Sequence, residues 1–250
     1  MDTVMWPTVL VIPDVAVHRW TPRKWKLRKW IDHFLSLFNK TKVSCFVLYP
    51  LSQKFDFNHL RDSLVGLHNN FWKIDRDIED WYHRNLIERV YPWNSISMER
   101  NPNIPEVLLQ KYLNRNSNIT TFGKFFHGIG LDEMLLSNAR FLNIRHQVPN
   151  VSVKNINRFL RSWVKGATPR LEFLLVQFFA RQTVNQDTIL KGIKYKEMPR
   201  ERVQYVDSND MDVEATVEGG YDIFRNNGTR ATISITGGNQ LRYVQMFVWI

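Results

Sequence analysis

The densest run of titratable side chains is Asp77-Ile78-Glu79-Asp80. Carboxylates this close can share general acid–base work, one held protonated and the other ionised. The run opens a predicted helix, however, where acidic side chains complement the positive end of the helix dipole. Seven histidines, at 18, 33, 59, 68, 83, 127 and 146, are scattered without metal-ligand spacing. Cys45 is the only cysteine and falls inside a predicted strand, where a thiol reads as an inert core residue. No G-x-x-x-x-G-K-[ST], G-x-G-x-x-G, G-x-S-x-G or H-E-x-x-H occurs. The sequence therefore asks for no enzyme, no cofactor and no metal.

Thirteen per cent aromatic residues, nine of them Trp, exclude a disordered chain. A single cysteine excludes an intrachain disulfide and points to a reducing, intracellular compartment, cytoplasmic or nuclear. The first 20 residues hold an early Asp and two prolines with no basic leader, so they do not read as a signal peptide. No uncharged apolar window approaches the length that crosses a membrane, so no membrane partner is expected. Net charge is +10, and residues 111–205 alone carry +10 while 206–250 carry −3. Such a balance admits nucleic acid as an alternative partner, through the charges of 23–30 and 140–202. Interleaved exposed aromatics and Gly-rich clamps are missing, which makes that alternative the weaker one.

The elements that would position any site come from a repeat. Leu171, Leu174 and Val176 fit the form φxxφxφ (φ apolar), as do Ala139/Leu142/Ile144, Trp93/Ile96/Met98 and Val43/Phe46/Leu48. Weaker copies start at Asn69 ("NNFWKI") and Asn116 ("NSNITT"), giving steps of 26, 24, 23, 23 and 32 residues. Steps of about 20–29 residues around such a core are those of leucine-rich-repeat solenoids. Helices follow each strand: Leu60/Leu64/Leu67, Ile78/Trp81/Leu86, Val107/Leu108/Leu113, Leu131/Met134/Leu135, and Ile156/Phe159/Leu160/Trp163 with Asn150 or Ser152 as cap. Asp187 starts a last one, carrying Ile189, Leu190 and Ile193. The fold class is α/β, a short irregular leucine-rich-repeat-like solenoid.

Both ends differ from the repeat. Thr21 and Pro22 start a capping helix with the apolar stripe Trp30, Ile31, Phe34, Leu35 and Phe38. Residues 207–218 are acidic and read as a loop, and a β-meander follows with turns at Asn226-Asn227-Gly228 and Gly237-Gly238-Asn239. The organisation is then residues 1–20 as an extension and 21–250 as one domain, with strand–helix repeats over 21–205 and the acidic loop and meander over 206–250.

"WIDHFLSLFN" (30–39), "INRFLRSWVKGATPRLEFL" (156–174), "ILKGIKY" (189–195), "GGYDIFRNNGTRATI" (219–233) and "MFVWI" (246–250) resemble the type 2 F-box-associated domain. That domain follows the F-box in a family greatly expanded in nematodes. The resemblance implies a non-enzymatic module that holds a target protein for a Skp1–cullin–F-box ubiquitin ligase. Only Met1–Trp20 precedes the domain here, and "WPTVLVIP" is not an F-box motif, so binding of a Skp1-type adaptor is expected only if an F-box lies upstream. A free-standing scaffold with no ligase link is the alternative within this reading. Of the matching residues, Trp163, Gly166, Pro169, Leu171, Gly192, Gly219, Gly220, Gly228 and Trp249 are expected to serve structure.

In a φxxφxφ strand, the residues beside the two inner positions point to the opposite face. That outward set is Phe71, Lys73, Ser95, Ser97, Phe141, Asn143, Arg145, Phe173, Leu175 and Gln177. Phe141, Phe173 and Leu175 would form an exposed apolar patch rimmed by Arg145, a composition that interface hot spots favour. The competing expectation is that the meander, with Phe247 and Trp249, covers this face.

Overall fold

The computed structural model describes residues 26–250 apart from 42, 51–52, 54–55, 68, 91–93, 101–102, 146–150, 180–181, 209–212, 239 and 250. Helix α1 (Leu27–Leu37) leads into alternating strands and helices: β1 (Val43–Leu48), α2 (Phe57–Leu64), β2 (Asn69–Ile74), α3 (Asp80–Arg89), β3 (Ser95–Arg100) and α4 (Glu106–Leu113). Then come β4 (Ile119–Phe125), α5 (Leu131–Leu136), β5 (Phe141–Arg145), α6 (Val153–Val164), β6 (Phe173–Phe179) and the single turn α7 (Gln186–Ile189). Four longer strands close the chain: β7 (Tyr195–Ser208), β8 (Val213–Phe224), β9 (Arg230–Gly237) and β10 (Leu241–Trp249).

The ten strands of the described residues form one sheet in the order β1-β2-β3-β4-β5-β6-β10-β9-β8-β7. The first six are parallel and pair in chain order. Right-handed crossovers between neighbours taken in sequence put every helix on the same face of a sheet. The core agrees: Leu60, Tyr82, Leu86, Leu109, Met134, Phe159 and Ile189 from the helices form one buried cluster with Trp72, Ile96, Met98, Leu142 and Leu174 from the strands. The β-meander expected at the C-terminus is present, and β10 joins it antiparallel to β6.

Of the eight residues that the repeat assigns to the helix side, Leu48, Ile96, Met98, Leu142, Ile144, Leu174 and Val176 are buried. Phe46, on the edge strand, is half-buried and stacks on Trp72. The weak copy at Asn116 is out by one. Thr120 and Phe122, not Ile119 and Thr121, pair with Ile96 and Met98, and a one-residue slip reverses every side chain. The hydroxyls of Ser117 and Thr120, 2.9 Å apart, satisfy each other at positions that other units fill with apolar groups.

Three further expectations are corrected. The acidic stretch 207–218 is not simply a loop: β7 runs through Ser208 and β8 begins at Val213, the two pairing antiparallel. The alternation in "VEATV" outweighs the acidic composition there. Asp77 lies ahead of α3, which starts at Asp80 with Glu79 as N-cap. Trp81, which the spacing assigns to the buried stripe, is 47% exposed; Ile78 and Leu86 of that stripe are buried, and Tyr82, His83 and Ile87 join them. The Thr21 and Pro22 start of the first helix lies outside the described residues. From Leu27, α1 packs beside α2, with Arg28 Nη1 donating to the Val65 carbonyl at 2.5 Å.

Helix α6 ends as its sequence dictates. Gly166 takes φ +109°, and the amides of Gly166 and Ala167 return to the carbonyls of Trp163 and Ser162. Arg225, in the β8–β9 turn, then inserts its guanidinium beneath the helix end. It donates to the carbonyls of Trp163 (3.2 Å), Ala167 (3.0 Å) and Thr168 (3.2 Å). The two most distinctive sequence blocks, 156–174 and 219–233, thus meet in space.

Candidate interaction face

The groups whose types suit chemistry do not gather into one site. Asp80 pairs with Arg100 at 2.8 Å and accepts from Asn103 Nδ2 at 2.9 Å, while Asp77 stands apart and pairs loosely with Arg76. His83 is buried, and burial with the nearby Arg100 charge pulls its pKa down to about 3, so it is neutral at physiological pH. Cys45 is exposed near the sheet edge rather than in the core. Partial burial still raises its thiol pKa, with Lys73 acting in the opposite sense, so it is not an activated thiolate. Among the described residues, no three His, Cys, Asp or Glu side chains gather as metal ligands would.

The strand register places the outward set on one face, as alternation requires. One row reads Ser95, Ile119, Phe141, Phe173, Phe247, Thr232, Asp222. The next reads Val47, Lys73, Ser97, Thr121, Asn143, Leu175, Gln245, Ser234.

The expected apolar patch is not exposed. Phe141 and Phe173 retain 4% and 5% of their surface and pack with Ile119, Phe247 and Val217 as a second buried cluster, Leu175 and Trp249 lying against it. The cover is partly the meander and partly β8. Gly219 and Gly220, at φ +63° and +91°, redirect β8 so that Val217 lies on the aromatic row. Ser95 and Ser97 are buried as well.

Beside this cluster a polar chain ties the meander together. Asp222 accepts from Thr232 Oγ1 at 2.6 Å and from Arg202 Nη1 at 2.7 Å. Thr232 in turn accepts from Trp249 Nε1 at 2.8 Å, and Arg230 lies 5.4 Å from the Trp249 ring centre. Every member is satisfied, which is the condition for a buried polar network to stabilise. Only its Asp222 and Thr232 alternation, within "GGYDIF" and "RATISI", left any trace in the sequence.

The open part of the face is its polar margin. Lys73 and Arg145 are exposed, and Leu175, Tyr243 and Gln245 are half-buried. Lys73 is 3.8 Å from Glu99, whose side chain crosses Gly123 so closely that an added Cβ would lie 2.4 Å from it. Asn143 and Gln177 are 8% and 9% exposed. Asn143 Nδ2 donates to Thr121 Oγ1 at 3.3 Å, but its Oδ1 is buried with no hydrogen-bond partner among the described residues. Phe71 lies in β2, and its side chain falls outside the described residues.

Apart from Trp249, Gly219 and Gly220, the motif residues sit elsewhere. Trp163 and Leu171 are buried, Pro169 follows the α6 cap, and Gly192 and Gly228 take positive φ in turns. Glu172, next to Leu171, accepts a two-pronged contact from Arg140 at 2.6 and 2.9 Å, locking β5 to β6 at their start.

Residues 108–176 match the family described as F-box associated. The matched stretch runs from within α4 to the middle of β6 and holds Phe141, Asn143, Arg145, Phe173 and Leu175. No curated protein and no solved structure matches the chain.

Proposed function

We propose that the chain is a non-enzymatic protein-binding module, and that the polar margin around Lys73, Asn143, Arg145, Leu175 and Gln177 takes its partner. The match of residues 108–176 to the F-box-associated family carries this reading. It is supported by Asn143 Oδ1, which has no hydrogen-bond partner among the described residues, since a buried acceptor left without a donor costs free energy that an idle surface has no reason to bear. The sequential strand–helix units are a short irregular solenoid within this reading, α1 capping one end and the meander closing the other. Residues 21–250 act as one unit behind an extension of 1–20. In a ubiquitin ligase of the Skp1–cullin–F-box type, such a module would hold the target. The adaptor would be engaged only where an F-box accompanies the module.

The test is affinity purification of the tagged full-length protein from cells of its own source, beside a Lys73→Ala/Arg145→Ala variant. Both substituted residues are exposed, so the melting temperature should not move. Loss of a specific partner from the variant supports the face. Retention of every partner assigns binding to another surface, and absence of an adaptor and cullin from both samples removes the ligase link.

A further inference from the structure

The opposite layer carries a surface that the sheet-face reading does not use. From residue 134 to 171 the chain has seven Lys and Arg and no Asp or Glu. Four of the seven, Lys154, Arg158, Arg161 and Lys165, recur at i, i+4, i+7 and i+11 along α6. At about 100° per residue these positions fall within about 60° of one another. They lie opposite the buried Ile156, Phe159, Leu160 and Trp163, and all four are exposed.

The turn after α7 widens the stripe. Asn157 Nδ2 donates to the carbonyls of Ile189 and Lys191 at 2.8 and 2.9 Å, which sets Lys191 against the flank of α6. Lys191 and Lys194 are exposed there, and Tyr195, 46% exposed, follows them at the start of β7. Elsewhere several exposed and half-exposed arginines find carboxylates, as in Arg28–Asp32, Arg61–Asp62, Arg76–Asp77 and Arg100–Asp80. Along α6 no ion pair forms among the described residues, and residues 134–171 contain no acid that could form one within the stretch.

Like charges at i, i+4 repel along a helix, so this stripe opposes helix stability. We propose that the exposed face of α6, with the α7–β7 turn, is an electrostatic docking surface for an acidic polypeptide segment. Charge complementarity sets the sign of the partner. The geometry favours carboxylates over a nucleic-acid backbone. The stripe lies along the outer side of a helix, and the α6 N-terminus is already taken by the Ser152 side chain. Its row spacing of about 5–6 Å matches acidic side chains three or four apart on a helix. Arginine adds a two-pronged grip on a carboxylate that a point charge lacks. The class of partner rests on reading the chain as a protein-binding module, but the surface is distinct from the sheet face.

The experiment is fluorescence anisotropy of a labelled polyglutamate peptide against the full chain at low and moderate salt. Lys154→Gln/Arg158→Gln/Arg161→Gln/Lys165→Gln should weaken binding at least about tenfold. A control that removes four other exposed cations, Lys26→Gln/Lys40→Gln/Arg76→Gln/Lys111→Gln, changes net charge equally and should weaken it less than about threefold. If the first variant fails to fold, Arg158→Gln/Arg161→Gln replaces it, with at least about a threefold loss expected while the control stays near wild type. Equal losses in test and control would reduce the effect to diffuse net charge and overturn the proposal. So would tighter binding of a single-stranded oligonucleotide through the same four residues. Neither α6 variant alters Lys73 or Arg145, so capture through the sheet face is read independently.

Discussion

The guanidinium carbon of Arg225 lies 4.4 Å from the centre of the Trp163 ring, against a side chain that is fully buried. Arg225 itself is 8% exposed, and burial pulls its pKa below the ordinary arginine value. Among the described residues no carboxylate pairs with it; the helix-end carbonyls and the ring face balance its charge. The charge sits where the α6 dipole is negative, which makes a buried cation tolerable.

Replacing this residue should therefore be costly. Arg225→Ala leaves the carbonyls of Trp163, Ala167 and Thr168 without their shared donor and is expected to destabilise by about 3 kcal/mol. Arg225→Lys should recover less than half of that, because an ammonium reproduces neither the planar fork nor the stacking. Urea unfolding with an unchanged slope measures both. Equal stability of the Arg225→Lys variant and the wild type would show that charge alone matters.

His83 makes stability depend on pH. Its pKa is near 6.5 in an unfolded chain and about 3 in the fold. Between those values the unfolded state holds one more proton, so stability falls as pH drops, by about 1.4 kcal/mol per unit from this residue. Neither ring nitrogen has a hydrogen-bond partner among the described residues. His83→Met should accordingly be near neutral at pH 7 and should flatten the loss between about pH 6 and 4. Parallel pH profiles for the two proteins would refute this.

Two glycines separate backbone strain from steric conflict. Gly228 has φ +88° and open space around its would-be Cβ, so Gly228→Ala should cost about 1 kcal/mol. Gly220 has φ +91°, and a Cβ there would lie 2.7 Å from the Ile233 carbonyl oxygen, which is backbone and cannot step aside. Gly220→Ala should cost clearly more, and it should loosen the hold of Val217 on the aromatic row. Similar melting temperatures for the two variants would mean that β8 re-routes without penalty.

How much of this is legible in the sequence depends on what each face buries. On the helix side the φxxφxφ pattern carries strand identity, because β3, β5 and β6 present their large apolar groups there. It fails at β4, where Ser117 and Thr120 take inner positions by bonding each other and Ile119 stands on the opposite face as a lure. The second face is hard to read because β6, "FLLVQFF", is buried on both sides. Such a strand reads as a continuous apolar run, and no periodicity distinguishes its two faces. Arg145 and Lys73 stand on the face that alternation assigns to them and are exposed. The cover over Phe141 comes from Val217, inside a stretch whose acidic composition hides a strand, and contacts so distant along the chain leave no local signal.

The unpartnered Oδ1 of Asn143 ties stability to binding. Asn143→Leu replaces a buried, half-satisfied amide with an apolar group of similar size, which should stabilise the fold by about 1 kcal/mol. If the amide is kept to meet a partner, the same variant should lose capture of that partner while melting higher, the usual direction of a stability–function trade. A variant that is more stable and binds as before would make Asn143 a tolerated defect.

Phe141 and Arg145 lie on the same strand and the same face, yet they should behave oppositely. Phe141 is enclosed by Ile119, Phe173, Val217 and Phe247. Its truncation to Ala removes a buried ring and leaves a cavity that a ten-stranded sheet relaxes into poorly, at a cost of about 3–5 kcal/mol. Arg145, at the far end of β5, is exposed and should lose no more than about 0.5 kcal/mol as Ala. Partner capture reverses the order. Arg145→Ala should reduce it directly, whereas Phe141→Ala should reduce it only as far as the folded fraction falls, so capture corrected for folded protein stays near wild type. Measuring unfolding free energy and folded-state capture for both variants separates the two roles. A small stability loss in Phe141→Ala would return that ring to the interface and reopen the aromatic row as the binding surface.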